Sequence, residues 1–186
     1  MGKLSVFNFL TLNGNYKNAD GDIRWHKHGE EEGEFSKEGA GSGSILLFGR
    51  KTYELMASYW PTPMAAQNDP VVAEGMNRSK KIVFSKTMKK ADWNNTVIIK
   101  ENVVEEITQL KEKEEKGLTI LGSGSIVSLC AEHGLIDEYQ VMIDPVLIGG
   151  GGQFCGTIGR QLDLKLTSTR TFKSGVVLLC YQPNNK

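Results

Sequence analysis

Leu118-Thr119-Ile120-Leu121-Gly122-Ser123-Gly124-Ser125-Ile126-Val127 is the stretch that decides the fold. Four residues suited to a buried strand run straight into a glycine–serine turn. A second apolar series follows, Ile126, Val127, Leu129 and Cys130, and ends near Gly134. The first series reads as a strand and the second as a helix. Strand, tight turn and helix form the repeating unit of an α/β protein with a parallel sheet. On the N-terminal side, Asn102-Val103-Val104-Glu105 has the spacing of a capping box. It predicts a helix with Val103, Val104, Ile107 and Leu110 on one face, and Gly117 stands where a C′ glycine belongs. Further out, Lys81–Phe84 and Val97–Ile99 are short β-branched strands. Ser44–Phe48 is a buried strand ended by Gly49, and a helix from Arg50 places Tyr53, Met56 and Trp60 together until Pro61 and Pro63 stop it. Lys3–Leu12 is apolar on both faces, as a central strand is. Beyond Gly134, Tyr139–Ile143, Leu162–Phe172 and Val176–Tyr181 are strands without helices between them. The expectation is an α/β fold with a mixed, mostly parallel sheet of about eight strands flanked by helices, carrying an antiparallel edge.

Composition sets the outer limits. The 186 residues suit one domain, 1–186, and no linker divides them. With 39% apolar and 24% charged residues the chain can bury a core. Lys and Arg number 22, as do Asp and Glu, so no basic excess serves a nucleic acid or an anionic membrane. The uncharged stretches Gly117–Ala131 and Pro145–Gly159 are too short and too glycine-rich to span a bilayer. The first residues form no apolar leader, and Cys130, Cys155 and Cys180 form no Cys-x-x-Cys pair. Together these predict a cytoplasmic protein with reduced thiols.

Three strand ends carry phosphate-binding chemistry. Gly122, Ser123, Gly124 and Ser125 combine close backbone approach, hydroxyls and a helix N-terminus, although a serine-capped turn has the same appearance. Gly49, Arg50, Lys51 and Thr52 open another helix, where cations oppose the dipole unless an anion is present. Ser85 and Lys86 follow a third strand. Each alone has an ordinary reading as a cap or a solvated turn. Parallel strands, however, put all three at one edge of the sheet, which points to one ligand with several phosphates, such as a dinucleotide. Asn18–Glu38 holds Asp20, Asp22, His26, His28 and a run of glutamates. It reads as a solvated loop leading into an acidic helix start rather than a metal site, and no metal is expected. Gly149–Gly152, after Asp144-Pro145, reads either as a functional loop or as a wide turn. There is no Gly-x-Ser-x-Gly elbow, and His133 reads as a helix C-terminal residue.

Ile45–Met56 with Tyr59-Trp60-Pro61 resembles the second strand and helix of the dihydrofolate reductase superfamily. Gly134–Tyr139 followed by Asp144–Gly152 and Phe154 is similar to the C-terminal reductase domain of the bifunctional riboflavin-biosynthesis protein and its stand-alone bacterial relatives. The resemblance runs from Lys3 to Tyr181. It implies an NADPH-dependent reductase, commonly dimeric, acting on 5-amino-6-(5-phosphoribosylamino)uracil or a similar small molecule. Dihydrofolate reduction and a catalytically inactive NADPH-binding protein are the alternatives. It implies cofactor phosphates at Arg50, Lys51 and Thr52, and the adenosine 2′-phosphate at Ser85 and Lys86. It also implies pyrophosphate at Gly122–Ser125 and substrate at Leu55 and Met56. The family's first strand usually ends in Ser-Leu-Asp-Gly, whereas Thr11-Leu12-Asn13-Gly14 stands here, and an amide cannot exchange a proton as a carboxylate can. For the proton donor, Asp22 is the first candidate and Glu30–Glu34 are others by region. His28-Gly29-Glu30 lacks the Pro-Cys-x-x-Cys that a deaminase zinc site needs, so no deaminase half is expected.

Overall fold

The computed structural model describes residues 1–184. The chain runs through β1 (Leu4–Thr11), β2 (Asn15–Lys17), α1 (Glu30–Gly41), β3 (Ile45–Gly49) and α2 (Arg50–Tyr59). Next come α3 (Pro63–Asn68), α4 (Pro70–Arg78), β4 (Lys81–Phe84), β5 (Thr96–Ile99), α5 (Val103–Lys113) and β6 (Leu118–Leu121). The last third holds α6 (Gly124–Glu132), β7 (Glu138–Asp144), β8 (Gly152–Gln153), β9 (Leu164–Thr171) and β10 (Val177–Pro183). Eight strands form one sheet in the order β5-β4-β3-β6-β1-β7-β10-β9. The first six are parallel; β10 and β9 are antiparallel to their neighbours. β1 is central, paired with β6 from Leu4 opposite Leu118 and with β7 from Ser5 opposite Glu138. β2 and β8 form a separate ribbon.

Side chains alternate between two apolar layers. On one face Leu4, Val6, Ile45, Leu47, Ile82 and Ile120 pack under Ile107 of α5 and Val127 and Cys130 of α6. On the other, Leu46, Phe48 and Val83 meet Tyr53 of α2 and Val72 and Met76 of α4. Phe7 meets Phe35 of α1 on that second face, with Phe9 beside Phe7. Full burial of one such side chain stabilises by about 1.5–3 kcal/mol. A charge also enters the core. Lys81 is fully buried, with Nζ donating to the carbonyls of Ser79 at 2.7 Å, Asn77 at 3.2 Å and Asn94 at 3.2 Å, and lying 4.5 Å from the Trp93 ring centroid.

Three local expectations are corrected. Asn102 precedes a helix, but it sits at φ +53 and makes no side-chain cap, so no capping box forms. Gly117 lies beyond the C-cap, Glu114, and instead lends its carbonyl to the Ile45 N–H at 2.9 Å as β3 begins. Pro61 and Pro63 end α2 only briefly. Thr62 Oγ1 accepts the Ala65 N–H at 3.2 Å with Pro63 in the first turn, which starts α3, and Pro70 likewise stands in the first turn of α4, where Asp69 makes no side-chain cap.

Candidate active site

β4, β3 and β6 are adjacent and parallel, so Phe84, Gly49 and Leu121 finish side by side at one edge. The loops after β3 and β6 are bonded together. The Gly49 N–H donates to Ser123 Oγ at 2.7 Å, and the Ser123 N–H donates to Thr52 Oγ1 at 3.1 Å. Gly122 has φ +60 beneath the Thr52 methyl, where a Cβ would lie 3.1 Å from Cγ2, so a side chain here would be strained and crowded. Ser123 does not cap α6, which removes the serine-cap reading of this turn. α2 and α6 therefore present uncapped N-termini to the same edge, with no acidic residue in either first turn and Arg50 and Lys51 exposed beside them. Free N–H groups and two positive dipole ends make this an anion-favouring locus.

Ser85 and Lys86 divide their work. Ser85 Oγ accepts the Met88 N–H at 3.0 Å and closes the turn after β4. Lys86 lines a groove of about 590 Å³ with Lys100, Asn102 and His133 and with the carboxylates Glu101 and Glu105, next to the start of α5. A second groove, of about 780 Å³, opens beside α6 between Ser125, Ser128, Tyr16, Lys17 and Gly150–Gly152. The glycine run is thus both a pairing segment, entering β8 against β2, and a wall of this groove. Tyr16 holds that wall in place. A Cβ on Gly124 would lie 2.9 Å from its ring, and one on Gly152 would lie 2.7 Å away. The glycine at 124 is therefore required by a neighbouring aromatic ring, a reason that residues 122–125 alone do not disclose.

Asn13 is structural. Its Nδ2 donates to the Ile148 carbonyl at 2.9 Å and its Oδ1 accepts from Thr11 Oγ1 at 2.8 Å. An ionised aspartate could not make the first bond. Asp22 accepts from Asn18 Nδ2 at 3.0 Å and Arg24 Nε at 2.9 Å. The Arg24 side chain, with its backbone N–H, holds the Asp22 carboxyl below its usual range, the opposite of what a proton donor needs. The Lys173 N–H does the same to Glu31. Leu55 is exposed on α2, whereas Met56 packs into the α2–α4 core and its Sδ accepts from Trp60 Nε1 at 3.2 Å. Neither lines either groove.

The Asn18–Glu38 segment is not simply a solvated loop. His26 is buried, its Nδ1 is 2.7 Å from Asp144 Oδ2, and its ring stacks on Phe9 at 3.6 Å between centroids. The Lys27 N–H donates to Asp144 Oδ1 at 2.8 Å, so one buried carboxylate clasps the loop to the end of β7. His28 stands edge-on to His26 at 4.5 Å, and partial desolvation with the neighbouring imidazole lowers its pKa. Two buried side-chain polar atoms lack a partner among the described residues, Asn8 Oδ1 and Trp25 Nε1. Burial pushes the Cys130 thiol up to about 12 and the Cys155 thiol up to about 11, so neither is an activated nucleophile. No helix among the described residues is long and apolar enough to cross a membrane.

Comparison with known proteins places this geometry. The chain is 29% identical over 175 residues to YyaP, an uncharacterized protein of Bacillus subtilis (strain 168), covering 94% of this chain and 92% of that one. Its fold matches a putative riboflavin biosynthesis protein from Shewanella sp. PV-4 with a TM-score of 0.75 at 18% identity, over 98% and 99% of the two chains. It also matches dihydrofolate reductase from Enterococcus faecalis, solved with NADP(H), with a TM-score of 0.69 at 18% identity, over 99% and 98%. The model of the RibD C-terminal domain fits residues 3–178. An eight-stranded sheet of this order, its glycine turns and that match lead to one assignment: the chain belongs to the RibD C-terminal domain family.

Proposed function

We propose that the chain is an NADPH-dependent reductase whose cofactor lies along the edge formed by β4, β3 and β6. The single observation that carries this reading is the pair of uncapped helix starts, α2 and α6, bonded through Gly49, Thr52 and Ser123. Gly49, Arg50, Lys51 and Thr52 receive phosphate on one side and Gly122–Ser125 on the other. Ser85 and Lys86 take the adenosine 2′-phosphate, with the Lys86–His133 groove beside them. The orphaned Asn8 oxygen and the polar groove beside α6 suit the opposite end of a dinucleotide. Bound NADPH supplies the hydride; the chain's residues bind, orient and exclude water. Leu55, exposed on α2, is free to meet substrate. The favoured substrate is 5-amino-6-(5-phosphoribosylamino)uracil, with dihydrofolate second. A reducing cytoplasm, which keeps the three thiols free, is the setting.

Titration of NADPH and NADH, followed by quenching of tryptophan fluorescence, tests the cradle. NADPH is expected to bind at least tenfold tighter than NADH, and Lys86→Ala to remove most of that preference through loss of one charge-assisted contact. Equal affinity for the two would overturn the assignment of Ser85 and Lys86. A second reading, a binding protein without turnover, is favoured by the ionised, paired states of Asp22 and Glu31 and by the structural use of Asn13. Failure of either substrate to consume bound NADPH would select it. Turnover that collapses on substitution of one acidic residue among Asp22, Glu30, Glu31, Glu32 and Glu34 would eliminate it.

We also infer that two copies pair. All eight residues of β9 at the open sheet edge are exposed, Leu164 and Leu166 among them.

A further inference from the structure

We propose that the Asn8 side chain reads an amide N–H of the bound ligand, which on the reductase reading is the carboxamide of the nicotinamide; the inference rests on that reading. Asn8 stands one residue past the last rung shared by β1 and β6, Phe7 opposite Leu121. The Gly122 N–H donates to the Phe7 carbonyl at 3.2 Å, so the two strands part at Asn8. From there the chain leaves β1 through α1 to β3, and leaves β6 through α6 to β7, in opposite directions across the sheet. α1 packs on one face and α6 on the other. Adjacent parallel strands whose connections run in opposite directions on opposite faces of the sheet mark a switch point, the place where open α/β sheets bind ligands.

Strand alternation puts the Asn8 side chain on the same face as Leu4, Val6 and Leu10, the α6 side. It is 4% exposed, and its Oδ1 finds no donor among the described residues. Its neighbour across β7 is Val141, which offers no side-chain donor. Leu or Val would continue the pattern of this strand face without leaving a carbonyl unpaired, and native proteins leave few such groups. The polar group is kept at the switch point, beside the phosphate cradle at Gly122–Ser125. The partner it lacks is a hydrogen-bond donor. At the nicotinamide end of the cofactor the carboxamide brings an N–H, whereas a phosphate oxygen brings none.

The test compares NADPH with its reduced 3-acetylpyridine analogue, whose methyl ketone has no amide N–H. Dissociation constants are measured for the wild-type protein and for Asn8→Leu by tryptophan quenching, with thermal unfolding of both ligand-free proteins as a folding control. Wild-type protein is expected to bind NADPH about tenfold tighter than the analogue, the worth of one hydrogen bond to a buried acceptor. Asn8→Leu is expected to bind the two alike and to unfold at the same or a higher temperature. Equal affinity of the wild-type protein for the two ligands overturns the proposal and leaves NADPH binding standing. No binding of NADPH overturns both. Discrimination retained by Asn8→Leu also overturns the proposal, and if that variant does not fold, Asn8→Ala carries the same comparison.

Discussion

Lys81 shows most directly what a single residue can impose on the whole chain. Its ammonium is fully buried with no carboxylate partner among the described residues, held by three carbonyls and the face of Trp93. Desolvation lowers its pKa to about 8. The unfolded chain keeps that proton until about pH 10.5. Between those values the unfolded state binds more protons, so the residue's contribution to stability rises with pH across the window and is flat below it. Chemical denaturation at pH 7.5 and pH 10 should show the wild-type protein gaining about 2–3 kcal/mol relative to Lys81→Met. No change in that difference would mean the carbonyl cage offsets desolvation completely. The clasp at the other end of the sheet depends on one carboxylate. Asp144→Ala leaves the buried His26 imidazole and the Lys27 N–H without their acceptor, and should cost about 2–4 kcal/mol in urea denaturation. Protease cleavage should then begin within residues 18–29. A variant as stable and resistant as the wild-type protein would remove the clasp from this account.

At the scale of elements, the small β2–β8 ribbon and the start of α6 form one unit through Tyr16. Gly124→Ala would drive a methyl into that ring and should destabilise by about 1–3 kcal/mol, the usual effect of overpacking. Combining it with Tyr16→Ala should recover most of that loss, measured against Tyr16→Ala alone. Additive costs would show that the ring is not what requires the glycine. The same comparison shows how far the amino-acid order could be read directly. β1, β3, β4, β6, α2 and α6 were legible because each has a local apolar period and a glycine or proline boundary. The shared edge followed, since parallel strands end together. α3 and α4 were hidden because Pro63 and Pro70 stop one helix and start another with the same chemistry. Asn8, Tyr16 and the His26–Asp144 clasp were not legible. Their partners lie far away in sequence or, for Asn8 Oδ1, are absent from the described residues, and no local period encodes that.

For the molecule as a whole, the exposed β9 edge carries the prediction of assembly. Sedimentation should give a dimer for the wild-type protein and a monomer for Leu166→Glu, which sets a charge on the exposed face of the strand. A wild-type monomer at micromolar concentration would refute pairing. The order of strands has a further consequence, one of time. β1 is made first and sits at the centre, yet its two neighbours, β6 and β7, begin at Leu118 and Glu138. The Leu4 N–H waits for Asp137, 133 residues later, and His26 waits for Asp144, 118 residues later. At about 5–20 residues per second, a ribosome needs on the order of 10 s to deliver those partners. The central strand is thus without its neighbours throughout most of synthesis. Nascent chains arrested before Leu118 should be digested throughout by protease, and a resistant core in them would contradict this order of events.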